Sequence, residues 1–429
     1  MVKESSTFCI YPWDHLATLT NGSIIPCCVA ADEGNLNINN LSFAEAWNSS
    51  VMKKIRQQML QGEKVKACQR CYAEESAGLD SLRIQSNYFY RQLLGSFDYL
   101  IENTSADGHF KGPIKSVDLR LGNNCNLKCI MCRPNESSSW AAEIETLIEN
   151  TNDKILLADL KWKSTINKNS FLWHKNPEFW NAFKKIMPDI REITFGGGEP
   201  FLIPEQFAFL NECVALGHSK YLSIKYHTNG TVLPDDVLDL LTHFRHVDIM
   251  VSLDGLDYQN FYMRYPAKWL DILTTLHKLD KTPNSISVNI LTTLHAISIY
   301  YFPEFIKWFI EQDFKKISAV GVNSNLPFTG IVHAPSYLNP QVLPKKIKAR
   351  VREKHADLYN TTFKKYFKND SELKIKAEQR FEANLNYMDA ANSSDEFAQF
   401  QSYIKTLDIT RNTNFTKTFP ELAAEILSL

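Results

Sequence analysis

The chain has 429 residues, 44% of them hydrophobic, which is enough to form the cores of two or three domains. Lysine and arginine nearly balance aspartate and glutamate, and the net charge of −1 argues against nucleic acid as a partner. The first residues lack the apolar core of a signal peptide, and no apolar run is long enough to span a membrane. We therefore expect a cytoplasmic protein.

Cysteine usage is the most informative part of the composition. Eight of the nine cysteines lie in the first third of the chain: Cys9, Cys27, Cys28, Cys68, Cys71, Cys125, Cys129 and Cys132. In a reducing compartment, such clustering favours metal binding over disulfide bonds. The ninth, Cys213, lies in an apolar helical pattern and is expected in a core.

Residues 1–80 are predicted to form a small domain that contains the first five cysteines. Asn21-Gly22 predicts a hairpin turn, and apolar spacing over 43–61 predicts one or two helices that end at Gly62. Four thiolates suffice for a structural zinc ion or a fully ligated [4Fe–4S] cluster, and spacing alone leaves both open. The four come from Cys9, one of Cys27 and Cys28, Cys68 and Cys71.

A linker at 81–113 leads to strand and helix patterns that alternate over 114–330, which predicts βα units and a parallel sheet. The predicted strands are 114–121, 191–195, 221–227, 247–253, 285–294 and 316–322. The predicted helices are 137–150, 177–187, 204–216, 234–244, 266–280 and 302–312. Six units are too few for a closed eight-stranded barrel, and the loops after the strands are expected to form the active face.

A three-cysteine loop, Cys125-x3-Cys129-x2-Cys132, follows the first of these strands. A structural zinc site closes its shell with four protein ligands, and a [4Fe–4S] cube has four irons to ligate. Three thiolates would leave one iron of a cube open to a substrate or cofactor. A zinc loop or incidental cysteines are the alternative.

This loop resembles the cluster motif of radical S-adenosylmethionine (SAM) enzymes. In that family the open iron binds SAM, and an electron from the cluster cleaves SAM to methionine and a 5′-deoxyadenosyl radical, which abstracts a hydrogen atom from substrate. The resemblance implies an α/β fold, an open (β/α)6 partial TIM barrel, with SAM and a [4Fe–4S] cluster as cofactors.

Further motifs follow the predicted strands in the family's order. Gly-Gly-Glu follows the second strand, Thr-Asn-Gly the third and Ser-x-Asp-Gly the fourth, and an arginine that could pair with the SAM carboxylate comes shortly after. The resemblance implies that SAM is bound by Met131, Gly197, Gly198, Glu199, Thr228, Asn229, Ser252 and Arg264. A surface arginine is the alternative for the last of these. Weaker candidates, by position alone, are Asn289, Thr292, His295, Gly321, Val322 and Asn323.

The N-terminal cysteines resemble the auxiliary-cluster region called twitch, a shortened relative of the SPASM domain. Gly22 precedes Cys27 as in that pattern, which favours Cys27 as the ligand and leaves Cys28 as a spare buried thiol. The resemblance implies an auxiliary [4Fe–4S] cluster on Cys9, Cys27, Cys68 and Cys71. In most family members this region follows the barrel, whereas here it precedes it.

Residues 331–429 are predicted to form a helical C-terminal segment, with helices at 377–390 and 395–407. Between 345 and 376, lysine and arginine outnumber acidic residues and aromatic residues are interleaved. We expect a solvated helix surface. The alternative is a docking face for an acidic peptide or an RNA.

The predicted function is hydrogen abstraction by a two-cluster radical SAM enzyme. A fully ligated second cluster cannot bind substrate through an open iron, so its expected role is electron transfer and the expected outcome is a net oxidation. The favoured substrate is a ribosomally made peptide. The alternatives are a small molecule such as an amino sugar, or a SAM-binding regulator without chemistry. The expected electron donor is a reductase, flavodoxin or ferredoxin.

Overall fold

The computed structural model describes residues 5–33, 36–76, 78, 80–164, 168–312, 314–317, 326–368, 370–391 and 393–428. The strands are β1 (His15–Thr18), β2 (Ile24–Ile25), β3 (Ser116–Arg120), β4 (Glu192–Gly196), β5 (Ser223–Thr228), β6 (His246–Ser252), β7 (Ile286–Leu294) and β8 (Phe328–Ile331). They are hydrogen-bonded in the order β2-β1-β3-β4-β5-β6-β7-β8. The predicted α/β fold with an open, mostly parallel sheet is confirmed.

Helices alternate with the strands and then follow them. Before β4 they are α1 (Tyr11–Asp14), α2 (Phe43–Trp47), α3 (Ser50–Gln61), α4 (Gln69–Ser76), α5 (Leu82–Leu94), α6 (Asp98–Glu102), α7 (Ile144–Asn150), α8 (Lys154–Ser164) and α9 (Pro177–Ile186). Between β4 and β8 they are α10 (Pro204–Ala215), α11 (Asp235–Leu241), α12 (Asp257–Met263), α13 (Trp269–Leu279) and α14 (Ser298–Glu311). The C-terminal helices are α15 (Lys345–Leu358), α16 (Lys364–Tyr366), α17 (Ser371–Asp389), α18 (Phe397–Arg411), α19 (Phe415–Thr418) and α20 (Pro420–Leu427).

Five of the six predicted strands are confirmed as β3 to β7. The sixth prediction, 316–322, lies outside the described residues from 318 onward, together with the candidates Gly321, Val322 and Asn323. The strands β1, β2 and β8 were not among the six. The two predicted C-terminal helices are confirmed as α17 and α18, with α17 starting six residues earlier than predicted.

The chain divides into two compact units: residues 1–124, 167–226 and 236–247 form the first, and residues 125–166, 227–235 and 248–429 form the second. In the first unit, β1 pairs antiparallel with β2 and parallel with β3, so the N-terminal region adds a strand to the sheet. β3 and β4, and then β4 and β5, pair in parallel. The turn between β1 and β2 is at Gly22, whose φ of +83° favours glycine.

The predicted helical stretch over 43–61 is confirmed as the two helices α2 and α3. Ser49 caps α3 by accepting a hydrogen bond from the Met52 amide, and Gly62 ends the helix in the left-handed conformation. Arg56 of α3 is fully buried and donates to the carbonyls of Pro12 and Trp47. These hydrogen bonds tie α3 to α2 and to the segment that leads into β1.

In the second unit, β7 and β8 pair in parallel, and the C-terminal helices form an apolar core with the segment 130–160. The basic residues of α15 are largely paired within this unit. Arg352 contacts Asp389 and Glu382, and Lys354 contacts Glu304 and Glu421. The interleaved aromatic residues Tyr359, Phe363 and Phe367 are buried. Local ion pairs therefore neutralise much of the positive charge of α15, and these three aromatic rings are part of the core, whereas Tyr366 is exposed.

No helix within the described residues is long and apolar enough to cross a membrane.

Candidate active site

The three-cysteine loop connects β3 to the 3-10 helix Ser138–Ala142. Cys129 is buried, whereas Cys125 and Cys132 are half-buried. The Cys132 thiol donates a hydrogen bond to Cys129, which lowers the pKa of Cys129 and raises the pKa of Cys132 well above its usual value. Two of the three sulfurs therefore face each other, and the loop supplies the thiolate donors that a three-cysteine [4Fe–4S] site requires.

Hydrogen-bond donors point at two of these sulfurs. The Leu127 amide lies 3.4 Å and the Asn229 side-chain nitrogen 3.9 Å from the sulfur of Cys125. One guanidinium nitrogen of Arg264 lies 4.0 Å from the sulfur of Cys129, and Arg264 also lowers the pKa of that thiol. Donors of this kind stabilise thiolates and the negative charge of a bound cluster.

Arg264 follows α12 and is buried, so it is not the surface arginine of the alternative prediction. Its guanidinium pairs with Asp254 through two nitrogens, at 2.7 and 3.0 Å. Asp254 also accepts the amide of Thr293 at 2.7 Å. One hydrogen bond and a second close ion-pair contact hold the guanidinium against Asp254 and leave its third nitrogen directed at Cys129.

The Gly-Gly-Glu loop after β4 packs tightly against the backbone of residues 122–124. A Cβ on Gly198 would lie 2.2 Å from the Asn124 carbonyl oxygen, and Gly197 has a φ of +112°. Only glycine fits at both positions. The buried Glu199 donates its amide to Asn124 at 2.8 Å, and its carboxylate accepts the Phe201 amide at 3.1 Å.

Asn229, in the Thr-Asn-Gly motif after β5, contacts the cysteine loop directly. Its side-chain nitrogen donates to Asn126 at 2.9 Å, and its oxygen accepts both the amide and the hydroxyl of Thr231. Asn126 in turn donates to the Thr231 hydroxyl at 2.8 Å. Asn126, which lies between the first two cysteines, is a contributor that the sequence motif did not identify.

The other predicted residues lie at strand ends, beside the C-terminal core or in buried positions with partners of their own. Thr228 and Ser252 are the last residues of β5 and β6, and Met131 is half-buried beside the C-terminal core. His295 is fully buried; burial lowers its pKa to about 4, and its Nδ1 accepts the Ile297 amide. A neutral ring held in this way fits a structural histidine. Asn289 donates to Asp248 at 2.7 Å.

The N-terminal cysteines separate into a group of four and one other. Burial is the largest cause that raises the pKa of Cys9 to about 12, and Cys68 and Cys71 raise it further electrostatically. Burial also raises the pKa of Cys27, and its neighbours Cys28, Cys9 and Cys68 raise it further electrostatically. These interactions place Cys9, Cys27, Cys68 and Cys71 in one group, which matches the donor set of a four-thiolate site.

Apart from its sequence neighbour Cys27, Cys28 has different partners from the other cysteines. Its thiol hydrogen-bonds the buried carboxylate of Asp118, and its carbonyl accepts from Arg120 at 3.2 Å. Both partners belong to β3. Within the described part of the chain, no three His, Cys, Asp or Glu side chains converge closely enough to hold a single metal ion.

Two family profiles match the chain. The profile described as the radical SAM superfamily matches residues 119–309, and the SPASM iron–sulfur cluster-binding domain matches residues 9–72. The chain carries a radical SAM domain preceded by a SPASM domain. The radical SAM domain implies SAM and a [4Fe–4S] cluster as cofactors, and the SPASM domain implies an auxiliary iron–sulfur cluster. The order of the two domains is the one that the cysteine positions predicted.

Two curated relatives are similar to part of this chain. An uncharacterised protein of Methanocaldococcus jannaschii, MJ0907, is 26% identical over 212 residues, which are 48% of this chain and 62% of that protein. The sporulation killing factor maturation protein SkfB of Bacillus subtilis is 23% identical over 167 residues, 39% of this chain and 33% of SkfB. The chain thus spans less than two thirds of either relative.

Similar solved structures include anSMEcpe with bound AdoMet and a Cp18Cys peptide, at 16% identity and a TM-score of 0.37, with 60% of this chain and 62% of that chain covered. SuiB of Streptococcus suis bound to its precursor peptide SuiA is 14% identical with a TM-score of 0.34, covering 76% of this chain and 66% of SuiB.

Proposed function

We propose that the protein cleaves SAM reductively and uses the resulting radical to oxidise a ribosomally made peptide. The observation that carries the proposal is the three-cysteine loop, whose sulfurs meet an amide, a carboxamide and a buried guanidinium. When bound there, a [4Fe–4S] cluster supplies the electron that cleaves SAM to methionine and a 5′-deoxyadenosyl radical. Cys125, Cys129 and Cys132 are the proposed ligands.

The residues proposed to bind SAM would orient it and keep other side chains out of the space that it occupies. Gly197 and Gly198 keep the loop backbone free of side chains, and the buried Glu199 fixes the end of that loop. Arg264 holds a positive charge beside Cys129. The remaining residues proposed for SAM binding are Met131, Thr228, Asn229 and Ser252.

We propose that Cys9, Cys27, Cys68 and Cys71 bind an auxiliary [4Fe–4S] cluster that accepts the electron left on the substrate radical. Their electrostatic grouping and the separate partners of Cys28 support this ligand set. Replacement of Cys71 by alanine should then abolish the oxidised product while some SAM cleavage persists. Equal loss of both activities would indicate a structural role for the auxiliary cluster instead.

A peptide substrate is supported by the similarity to SkfB, whose name describes the maturation of a killing factor. SkfB is matched over one third of its length, so the peptide class is a proposal for this chain. The proposed electron donor is a reductase, flavodoxin or ferredoxin. The clustered cysteines form no disulfide bonds, which suits a reducing compartment such as the cytoplasm.

The test is to measure 5′-deoxyadenosine formed by the anaerobically reconstituted, reduced enzyme in the presence of SAM. The large- and small-molecule fractions of a host extract are added separately, and Cys129→Ala is the negative control. Stimulation by the large fraction that is lost after protease treatment would support a peptide or protein substrate. Stimulation by the small fraction would indicate a metabolite such as an amino sugar. If the cluster is present and reducible but no 5′-deoxyadenosine forms, the protein is a SAM-binding regulator or binds no SAM.

A further inference from the structure

The backbone carbonyls of the three-cysteine loop are held by side chains from just after the loop. Ser139 donates its hydroxyl to the Cys125 carbonyl at 2.6 Å, and Ser137 donates to the Leu127 carbonyl at 2.5 Å. The indole nitrogen of Trp140 donates to the Cys129 carbonyl at 3.1 Å. Three carbonyls of an eight-residue loop are therefore fixed locally.

Two further carbonyls of the loop are held from much later in the sequence, by α18. The Tyr403 hydroxyl donates to the Ile130 carbonyl at 2.9 Å, 273 residues away in the chain. Arg411 donates to the Lys128 carbonyl at 2.8 Å, 283 residues away. Both side chains are buried, so water does not compete for these bonds.

Arg411 is itself fixed in place. It donates to the buried carboxylate of Glu143 at 2.6 Å, and its guanidinium lies 4.9 Å from the ring centres of Trp140 and Tyr265. Glu143 also pairs with the Lys128 side chain at 2.6 Å. A buried ion pair is not in itself strong evidence for stability, because desolvation offsets the attraction. The pair holds Arg411 in place as a donor to the Lys128 carbonyl.

The amides of the loop are fixed as well. Lys128 donates its amide to the Tyr265 carbonyl and Ile130 donates to the Met263 carbonyl, at 2.5 and 2.9 Å. The peptide groups around Cys129 therefore have partners on both their donor and acceptor sides. A loop with a fixed backbone loses little conformational entropy when its thiolates bind metal.

We propose that Tyr403 and Arg411 are positioning residues that make α18 a structural part of the SAM-binding cluster site. The inference rests on the proposed function, since it assumes that Cys125, Cys129 and Cys132 bind a cluster. A cluster held by three protein thiolates depends more on loop geometry than one held by four. By fixing the loop carbonyls, α18 keeps the thiolates arranged for binding and slows the loss of iron.

The test compares two tyrosine variants, each made in the full chain carrying Cys68→Ala and Cys71→Ala, so that iron measured after reconstitution belongs to the loop. Tyr403→Phe removes the hydroxyl that bonds the loop. Tyr387→Phe is the matched control, because its hydroxyl is also buried in the C-terminal helices but bonds Asn339 and His333. The measurement is the rate at which a chelator removes iron, followed by absorbance and iron content.

We expect Tyr403→Phe to lose iron about fivefold faster than the parent, since one net hydrogen bond is removed, whereas Tyr387→Phe keeps the parent rate. Arg411→Lys, which removes the fork geometry, should lose iron faster still. Equal rates for Tyr403→Phe and Tyr387→Phe would overturn the inference.

A second readout uses the protein with all its cysteines, in case the double cysteine variant does not fold. The change in the electron paramagnetic resonance spectrum on adding SAM should shrink in Tyr403→Phe and stay unchanged in Tyr387→Phe. A protein that takes up a loop cluster but forms no 5′-deoxyadenosine would contradict the proposed function alone. A parent that takes up no loop cluster would contradict both proposals.

Discussion

The two cysteine regions are each supported by a helix that lies outside the matching family profile, but they differ in how far away that helix is in sequence. The N-terminal cysteines are supported by α5, because Asn87 of this helix bonds the residues on either side of Cys9. Asn87 donates to the Phe8 carbonyl and accepts the Ile10 amide. The three-cysteine loop is supported by α18, through Tyr403 and Arg411. α5 starts about ten residues after the SPASM match, whereas α18 starts nearly ninety residues after the radical SAM match.

The chemistry of the two regions differs in a corresponding way. The N-terminal group has four thiols, three of them buried, and can close the coordination shell of a cluster. The loop has three thiols, two of them half-buried, and with these as the proposed ligands a [4Fe–4S] cluster would have one coordination position left for SAM. A closed site can be built from residues close together in sequence. An open site at the loop would have to keep three ligands in place while SAM binds and leaves, which agrees with the support that the loop receives from a second, distant part of the chain.

The largest expected effect comes from Cys129→Ala. Loss of the central, buried ligand should abolish 5′-deoxyadenosine formation and reduce bound iron to about half, because the N-terminal site keeps its own cluster. Iron analysis and an assay of SAM cleavage on the same preparation check this. Retention of full iron content would mean that the loop does not bind a cluster.

Cys27→Ala and Cys28→Ala form a matched pair of neighbouring substitutions. Cys27→Ala should lose the auxiliary cluster and Cys28→Ala should keep it, because the Cys28 thiol hydrogen-bonds Asp118 of β3, whereas Cys27 interacts with Cys9 and Cys68. Iron content and the absorbance of the reconstituted proteins distinguish the two. The opposite result would assign Cys28 as the ligand.

Asn87→Ala should destabilise the N-terminal region by about 2–4 kcal/mol, since it leaves a buried amide and a buried carbonyl without their partners. We expect a lower melting temperature and faster loss of the auxiliary cluster, with the loop cluster retained. Asn103→Ala, whose side chain makes only an exposed hydrogen bond within its own helix turn, is the control. Loss of both clusters at the same rate would show that α5 supports the whole fold rather than one site.

The smallest expected effect concerns pH and the C-terminal helices. Burial lowers the pKa of His355 in α15 to about 4, from an ordinary value near 6.5. The folded state therefore disfavours the charged ring. The contribution of the neutral His355 ring to the free energy of unfolding is fully present above pH 6.5. It is lost as the pH falls toward 4, by at most about 3 kcal/mol.

In His355→Gln, the free energy of unfolding should fall less steeply with decreasing pH than in the wild type. The check is urea unfolding of both proteins between pH 7 and pH 4, with the exposed His109→Gln as the control. If the free energy of unfolding of His355→Gln falls with pH as steeply as that of the wild type, other groups cause the acid sensitivity.

Much of the fold could be predicted because alternation of strands and helices is a local property. The turn at Gly22, the end of α3 at Gly62 and the five strands β3 to β7 all follow from nearby residues. The pairing of β1 with β3 could not be predicted, since a four-residue buried strand carries no periodic signal and its partner lies about a hundred residues away.

The candidate site also contains residues that the sequence predicts and residues that it does not. The cysteines and the glycine motif are recognisable because their spacing is set by local chemistry. Asn126, Tyr403 and Arg411 are not, because their roles depend on hydrogen bonds to backbone carbonyls or to residues distant in sequence. No pattern in the sequence around α18 indicates that it contacts a loop 273 to 283 residues earlier.

The most direct test of two distinct cysteine sites is electron paramagnetic resonance of the reduced, reconstituted protein with and without SAM. We predict the signals of two clusters, one of which changes when SAM is added and disappears in Cys129→Ala. The other should be insensitive to SAM and disappear in Cys27→Ala. A single cluster signal, or two signals that SAM leaves unchanged, would contradict the assignment of an open site and a closed site.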